Sequence, residues 1–271
     1  NLINSKDKIL EFFNLENLYY YIIILKMLNL EIPFKNDEII ELTEKYINGK
    51  VFSSSKFIKP DPINIFYGLA IFSELNLLNS TTVVDINNIK KFLEYEIKNF
   101  LPTKLHLNFY TLLSINLLER SGQMKIDKNN LLSKVLNLNI LTDLEQCNLI
   151  LDIFEHLMSI KLLDKETDLS NFKALYIMEL KILMTPNGLI KETITDSAKI
   201  LFIFDLLNSK TQESNLFLNS LNFINYYTKY FADKNLDKDF NWKKESLAFT
   251  VELHMLFWAL LASSQYSSML K

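Results

Sequence analysis

The sequence predicts an all-α fold, a single domain built from about six helical hairpins, and three observations carry that prediction. Glycine and proline are scarce, four and five in 271 residues, which favours helices over strand-and-turn architectures. Apolar helical segments recur with starts roughly 40 to 50 residues apart, a repeat length typical of stacked hairpins. Most are separated by a more polar helical segment. A unit of that size cannot bury its apolar face alone, so neighbouring units must stack.

The elements follow in order. The first apolar segment, Tyr19–Leu30, stops before Pro33, and an amphipathic segment, Asp37–Asn48, comes next. Gly49 opens a loop that reaches Pro60-Asp-Pro62. There Asp61 is placed to cap the second apolar segment, Asn64–Asn79, with Pro62 in its first turn, where a missing N–H costs nothing. Ile86–Phe100 sets Ile89, Phe92, Leu93 and Ile97 against Lys90, Lys91, Glu94, Glu96 and Lys98, as a solvated outer helix does. Pro102 ends it. Leu107–Gly122 is the third apolar segment, Lys128–Leu138 its polar successor, Cys147–Leu163 the fourth, and Asn171–Leu183 the next polar one. Thr185-Pro-Asn-Gly188 reads as a turn and Thr195-Asp196 as the cap of the fifth, Ala198–Asn208. Leu216–Ala232 and the sixth apolar segment, Leu247–Ser263, complete the series.

The recurrent segments are apolar nearly all round. Ile71, Phe72, Leu75, Leu77 and Leu78 leave little polar face, and Leu253–Leu261 leaves almost none. Such helices are buried on both sides. An inner layer of this kind within an amphipathic outer layer has two geometries, an open α-solenoid or a closed α/α toroid. No linker or low-complexity stretch divides the chain, so residues 1–271 read as one domain.

Two loops favour closure. Asn48-Gly-Lys-Val-Phe-Ser, continuing through Pro60-Asp-Pro-Ile-Asn-Ile-Phe-Tyr-Gly-Leu-Ala70, resembles the repeat of the terpenoid cyclase and protein prenyltransferase toroid superfamily. Thr185-Pro-Asn-Gly-Leu-Ile-Lys-Glu-Thr-Ile-Thr-Asp-Ser-Ala-Lys-Ile-Leu201 resembles the same unit. The glycine pairs of that repeat are reduced here to Gly49 and Gly188. The resemblance implies a toroid with a central cavity. It also implies three kinds of active site to seek, and none is visible. The Asp-x-Asp-Asp acid cluster of squalene-type cyclases is missing, Asp237-Lys-Asp239 being the nearest approach, and so is an Asp-Asp-x-x-Asp magnesium motif. Zinc held by Asp, Cys and His would have to draw on Cys147, on His106, His156 or His254, and on Asp143 or Asp152, none in the family's local pattern.

Charge and composition narrow the partners. A net charge of −3 gives no basic face for nucleic acid. Arg120 is the sole arginine, which nearly excludes bidentate phosphate clamps. A single cysteine cannot form an internal disulfide, which favours a reducing compartment. The run Leu18–Leu30 is interrupted by Lys26 and Asn29 and is too short to span a bilayer. No secretory signal is visible, and the expected location is cytoplasmic.

The expectation for function is a non-catalytic toroid that binds an apolar ligand, isoprenoid or lipid-like, or a protein partner. The alternative is an isoprenoid-diphosphate transferase or terpene cyclase with a non-standard site. No cofactor or metal is expected under the first reading; zinc or magnesium enters only under the second. Aromatic residues concentrate on the apolar segments, many near their starts. The cavity walls are therefore expected to include Tyr20, Tyr67, Tyr110, Phe204, His254 and Trp258.

Overall fold

Asn14 accepts a hydrogen bond from the Asn17 amide at 2.7 Å and so starts helix α1, Leu15–Met27, earlier than the apolar run alone suggests. The computed structural model describes residues 10, 14–78, 82–143, 148–183, 194–208, 221–222, 224–225, 228–229 and 246–266. After α1 come α2 (Asn36–Glu44), a hairpin of β1 (Ile47–Asn48) and β2 (Val51–Phe52), α3 (Pro62–Glu74), α4 (Ile86–Lys98) and α5 (Leu105–Arg120). They are followed by α6 (Asn129–Leu136), α7 (Ile140–Asp143), α8 (Leu149–Leu163), α9 (Ser170–Leu183), α10 (Ile194–Leu206) and α11 (Ser246–Tyr266). The fold is all-α, with β1 and β2 as the only strands among the described residues.

Local chemistry sets the boundaries. Asp61 takes the Asn64 amide and Pro62 opens α3, as anticipated. Asp85 and Asn148 cap α4 and α8 in the same way. Three apolar helices stop at one motif. Asn29, Asn76 and Gly122 adopt left-handed φ of 52°, 58° and 70°. In each case the next amide reaches back to a carbonyl in the last turn, Leu30 to Leu25, Leu77 to Phe72 and Gln123 to Leu118. This is the Schellman stop. It ends α1 and α3 short of Leu30 and Asn79; beyond the second stop Leu77 and Leu78 still pack into the core, whereas Leu30 is exposed.

Two expected boundaries are corrected. The polar segment after α1 was expected to run to Asn48, but α2 ends at Glu44. Gly49 and Lys50, both left-handed at φ 57° and 65°, instead turn β1 onto β2, pairing Ile47 with Phe52. Phe52 then fills the space over Gly68, where a Cβ would overlap its ring, and meets Phe72 edge-on at 5.2 Å. The fifth apolar helix begins at Ile194, so Thr195 and Asp196 lie within its first turn and do not precede it. The expected turn at Thr185–Gly188 lies outside the described residues, as do Cys147, Asp237-Lys-Asp239 and much of Leu216–Ala232.

The apolar helices α1, α3, α5, α8, α10 and α11 pack each against the next, and α11 packs back on α1. These six helices therefore neighbour one another in a cycle. The amphipathic helices lie outside it, α4 against α5 and α6 against α8. Two apolar clusters form the core, and α11 joins them: Leu253, Leu256 and Leu260 face one, Ala259, Ala262 and Tyr266 the other. No helix among the described residues is long and apolar enough to cross a membrane.

Candidate functional site

One register recurs on all six inner helices. Residues i, i+3 and i+4 share a helix face, and this triplet reads Glu16/Tyr19/Tyr20 on α1, Ile63/Phe66/Tyr67 on α3 and His106/Phe109/Tyr110 on α5. It continues as Leu151/Phe154/Glu155 on α8, Lys199/Phe202/Ile203 on α10 and His254/Phe257/Trp258 on α11. The middle position is aromatic every time. These rings meet around the cycle: Tyr19 lies 5.8 Å from Phe66 and 6.0 Å from Phe257, and Phe154 lies 6.1 Å from Phe109 and 6.4 Å from Phe202. Tyr110 bridges Phe66 to Phe109, and Trp258 bridges Phe202 to Phe257. The aromatic belt thus closes on itself. Within it lies a cavity of about 390 Å³, to which every inner helix contributes a wall.

The polar groups of the cavity fall into two sets. On one side Glu16 Oε1 accepts from the Tyr20 hydroxyl at 3.1 Å and the Tyr67 hydroxyl at 2.9 Å. Each phenol has one proton, so the Tyr110 hydroxyl, 3.0 Å from that of Tyr67, donates to it. Burial keeps these phenols protonated: those of Tyr20, Tyr67 and Tyr110 titrate well above the ordinary tyrosine value, and the neighbouring Tyr19 is pushed up to about 12.

The other set is ionic. Glu155 is 1 % exposed and holds the Nδ1 of His106 at 2.6 Å through Oε1. That hydrogen bond raises the imidazole above its usual value, against the opposing effect of burial. The second oxygen, Oε2, is buried without a hydrogen-bond partner among the described residues. Lys199 is 6 % exposed and lines the same cavity, its Nζ 5.2 Å from the centre of the Trp258 ring. It makes neither hydrogen bond nor ion pair among the described residues. Burial lowers its ammonium below the ordinary lysine value, and Asp196 and Glu155 only partly offset this.

The other two histidines are neutral. Trp258 Nε1 donates to His254 Nε2 at 3.0 Å, which leaves the proton of that ring on Nδ1, and burial lowers its basicity. His156 points away from the cavity. Its Nε2 donates to the Val135 carbonyl at 2.8 Å and its Nδ1 accepts from Tyr176 at 2.7 Å, the pattern of a buried structural histidine. Among the described residues, no three of His, Cys, Asp and Glu converge as a metal site.

Of the residues expected on the cavity wall, Tyr20, Tyr67, Tyr110, His254 and Trp258 come together there. Phe204 does not. It is fully buried in the core cluster, two residues from Phe202 and so on another face of α10. Sequence reasoning offered His106 only as a candidate zinc ligand and missed Glu16, Glu155 and Lys199; all four occupy the first or third position of the repeated triplet. Aligning the six apolar segments on their shared aromatic residue would have found all four. No family model, curated protein or solved structure matches this chain.

Proposed function

We propose that this chain is an α/α toroid of the terpenoid cyclase and prenyltransferase kind whose central cavity binds a predominantly apolar small molecule, without the diphosphate chemistry of those enzymes. One observation carries the reading: a cavity of about 390 Å³ walled by aromatic and aliphatic side chains from five helices, with Lys199 from the sixth and a few other polar groups converging on it. Volumes of roughly 300 to 1,000 Å³ with that lining are what small-molecule sites use. A diphosphate would need grouped cations or metal-holding carboxylates. Here the two cationic candidates, Lys199 and His106, share the space with Glu16 and Glu155. The cavity draws on six helices, whereas the exposed apolar residues of α9, Leu175, Met178, Ile182 and Leu183, come from one.

The test uses the chain with Trp242→Phe, which leaves Trp258 as the sole tryptophan. Titration with citronellol, a branched apolar alcohol, is expected to shift Trp258 emission and saturate. Filling the cavity with Leu113→Phe and Met158→Phe together is expected to weaken that binding at least about tenfold. Emission that never saturates, or undiminished affinity in the filled and folded variant, would refute the reading.

A further inference from the structure

We propose that Lys199 forms a reversible Schiff base with the carbonyl group of an apolar aldehyde or ketone held in the cavity, with Glu155 as the proton carrier. The inference rests on the cavity being a ligand site and names the chemistry of the ligand's polar end.

A buried ammonium is normally stabilised by a carboxylate or by several acceptors, because removing it from water is costly. Lys199 is 94 % removed from solvent, with an aromatic face as its near neighbour and no hydrogen bond or ion pair among the described residues. A primary amine in a dry aromatic pocket is thereby suited to the neutral, nucleophilic form. The lowering of its ammonium by burial agrees with this placement. Glu155 has the complementary deficit: it lines the same cavity, and its Oε2 is buried with no donor to satisfy it among the described residues. An anionic ligand would satisfy the amine and leave that oxygen facing another negative charge. A carbonyl compound satisfies both in turn.

The step balances without redox change. The neutral Nζ attacks the carbonyl carbon, forming a C–N bond while the π pair moves to oxygen. Glu155 takes the excess proton from nitrogen and returns it to that oxygen, giving a carbinolamine whose hydroxyl is a donor for Glu155. Glu155, protonated from solvent, gives a second proton to the hydroxyl, which leaves as water while the nitrogen lone pair closes the C=N bond. The proton left on the iminium nitrogen goes to water, leaving the neutral imine and the Glu155 carboxylate. One water is released for each imine formed, and hydrolysis reverses the sequence. His106, bonded to the other oxygen of Glu155, holds the carboxylate in position.

The experiment exposes the full chain to citronellal near neutral pH, adds borohydride to reduce any imine, and maps the product by peptide mass. The expected result is one citronellyl group per chain, carried by Lys199 out of 28 lysines. Excess citronellol should suppress the labelling at least tenfold. Lys199→Arg should reduce incorporation at least tenfold, and Glu155→Gln should slow trapping by about a hundredfold, the range of a lost proton carrier. If the unmodified chain binds citronellol but borohydride labels surface lysines with no preference for Lys199, the imine is overturned and the cavity reading stands. If the chain binds neither compound, both fall. Should the Lys199 variant fail to fold, protection of the native Lys199 by citronellol remains the deciding readout.

Discussion

Glu155 gives one oxygen to a half-exposed histidine and keeps the other buried without a partner among the described residues, so its neighbourhood depends on pH. The hydrogen bond to Glu155 raises His106 above its usual value. A group whose basicity rises on folding stabilises the fold fully below its unfolded value, and that stabilisation is lost as pH climbs through the folded one. Urea unfolding of the native chain and of Glu155→Gln should therefore show a stability difference that moves against the native chain as pH rises above about 6.5, the ordinary histidine value. A difference flat over that range would mean that the two groups are not coupled. At this scale the sequence was half legible. Tyr20, Tyr67 and Tyr110 could be assigned to the wall because an aromatic residue on an all-apolar helix must face some interior. Lys199 and Glu155 were passed over, since a charged residue on a helix is by default solvated. Their register with the repeated aromatic position is the signal that sets them on the inner face.

Helices in this chain begin and end by short-range chemistry that the apolar pattern only partly reports. Asp61 and Pro62 were readable because a capping side chain followed by proline is a local signal. The stops at Asn29 and Asn76 were not, because the apolar run continues past them although the backbone has left the helix. The β1–β2 hairpin was hidden for a related reason. Asn48-Gly49 marks a turn, but its strands are two residues each and carry no alternating pattern to reveal them. The caps are also where helix stability is most directly measured. Asp61→Ala removes the acceptor for the Asn64 amide and for the Asn64 side chain, at 3.0 Å and 2.9 Å. A loss of about 1 kcal/mol in chemical denaturation is expected, the usual cost of a deleted N-cap. No change would place the start of α3 under the control of the preceding loop instead.

Across the whole molecule, the arrangement that matters is the return of α11 to α1. It turns a row of hairpins into a cycle and brings residues 16 and 254, nearly the length of the chain apart, onto one cavity where Tyr20 stacks on His254 at 5.0 Å. The periodicity predicted the six apolar helices, because each hairpin must cover its neighbour. Closure of the cycle is not contained in that period, and the two loops that resemble the toroid repeat point to it by resemblance. The repeated aromatic position does carry a trace of it, since six equivalent residues spaced by hairpins and facing inward require a common axis.

The central claim is that this cycle encloses a working ligand site. The most direct test is native mass spectrometry of the purified chain, before and after mild organic extraction and re-exposure to citronellol. The account predicts one small apolar molecule per chain, either carried through purification or taken up on re-exposure, and lost in the Leu113→Phe/Met158→Phe variant. A bare polypeptide mass under every condition would contradict it.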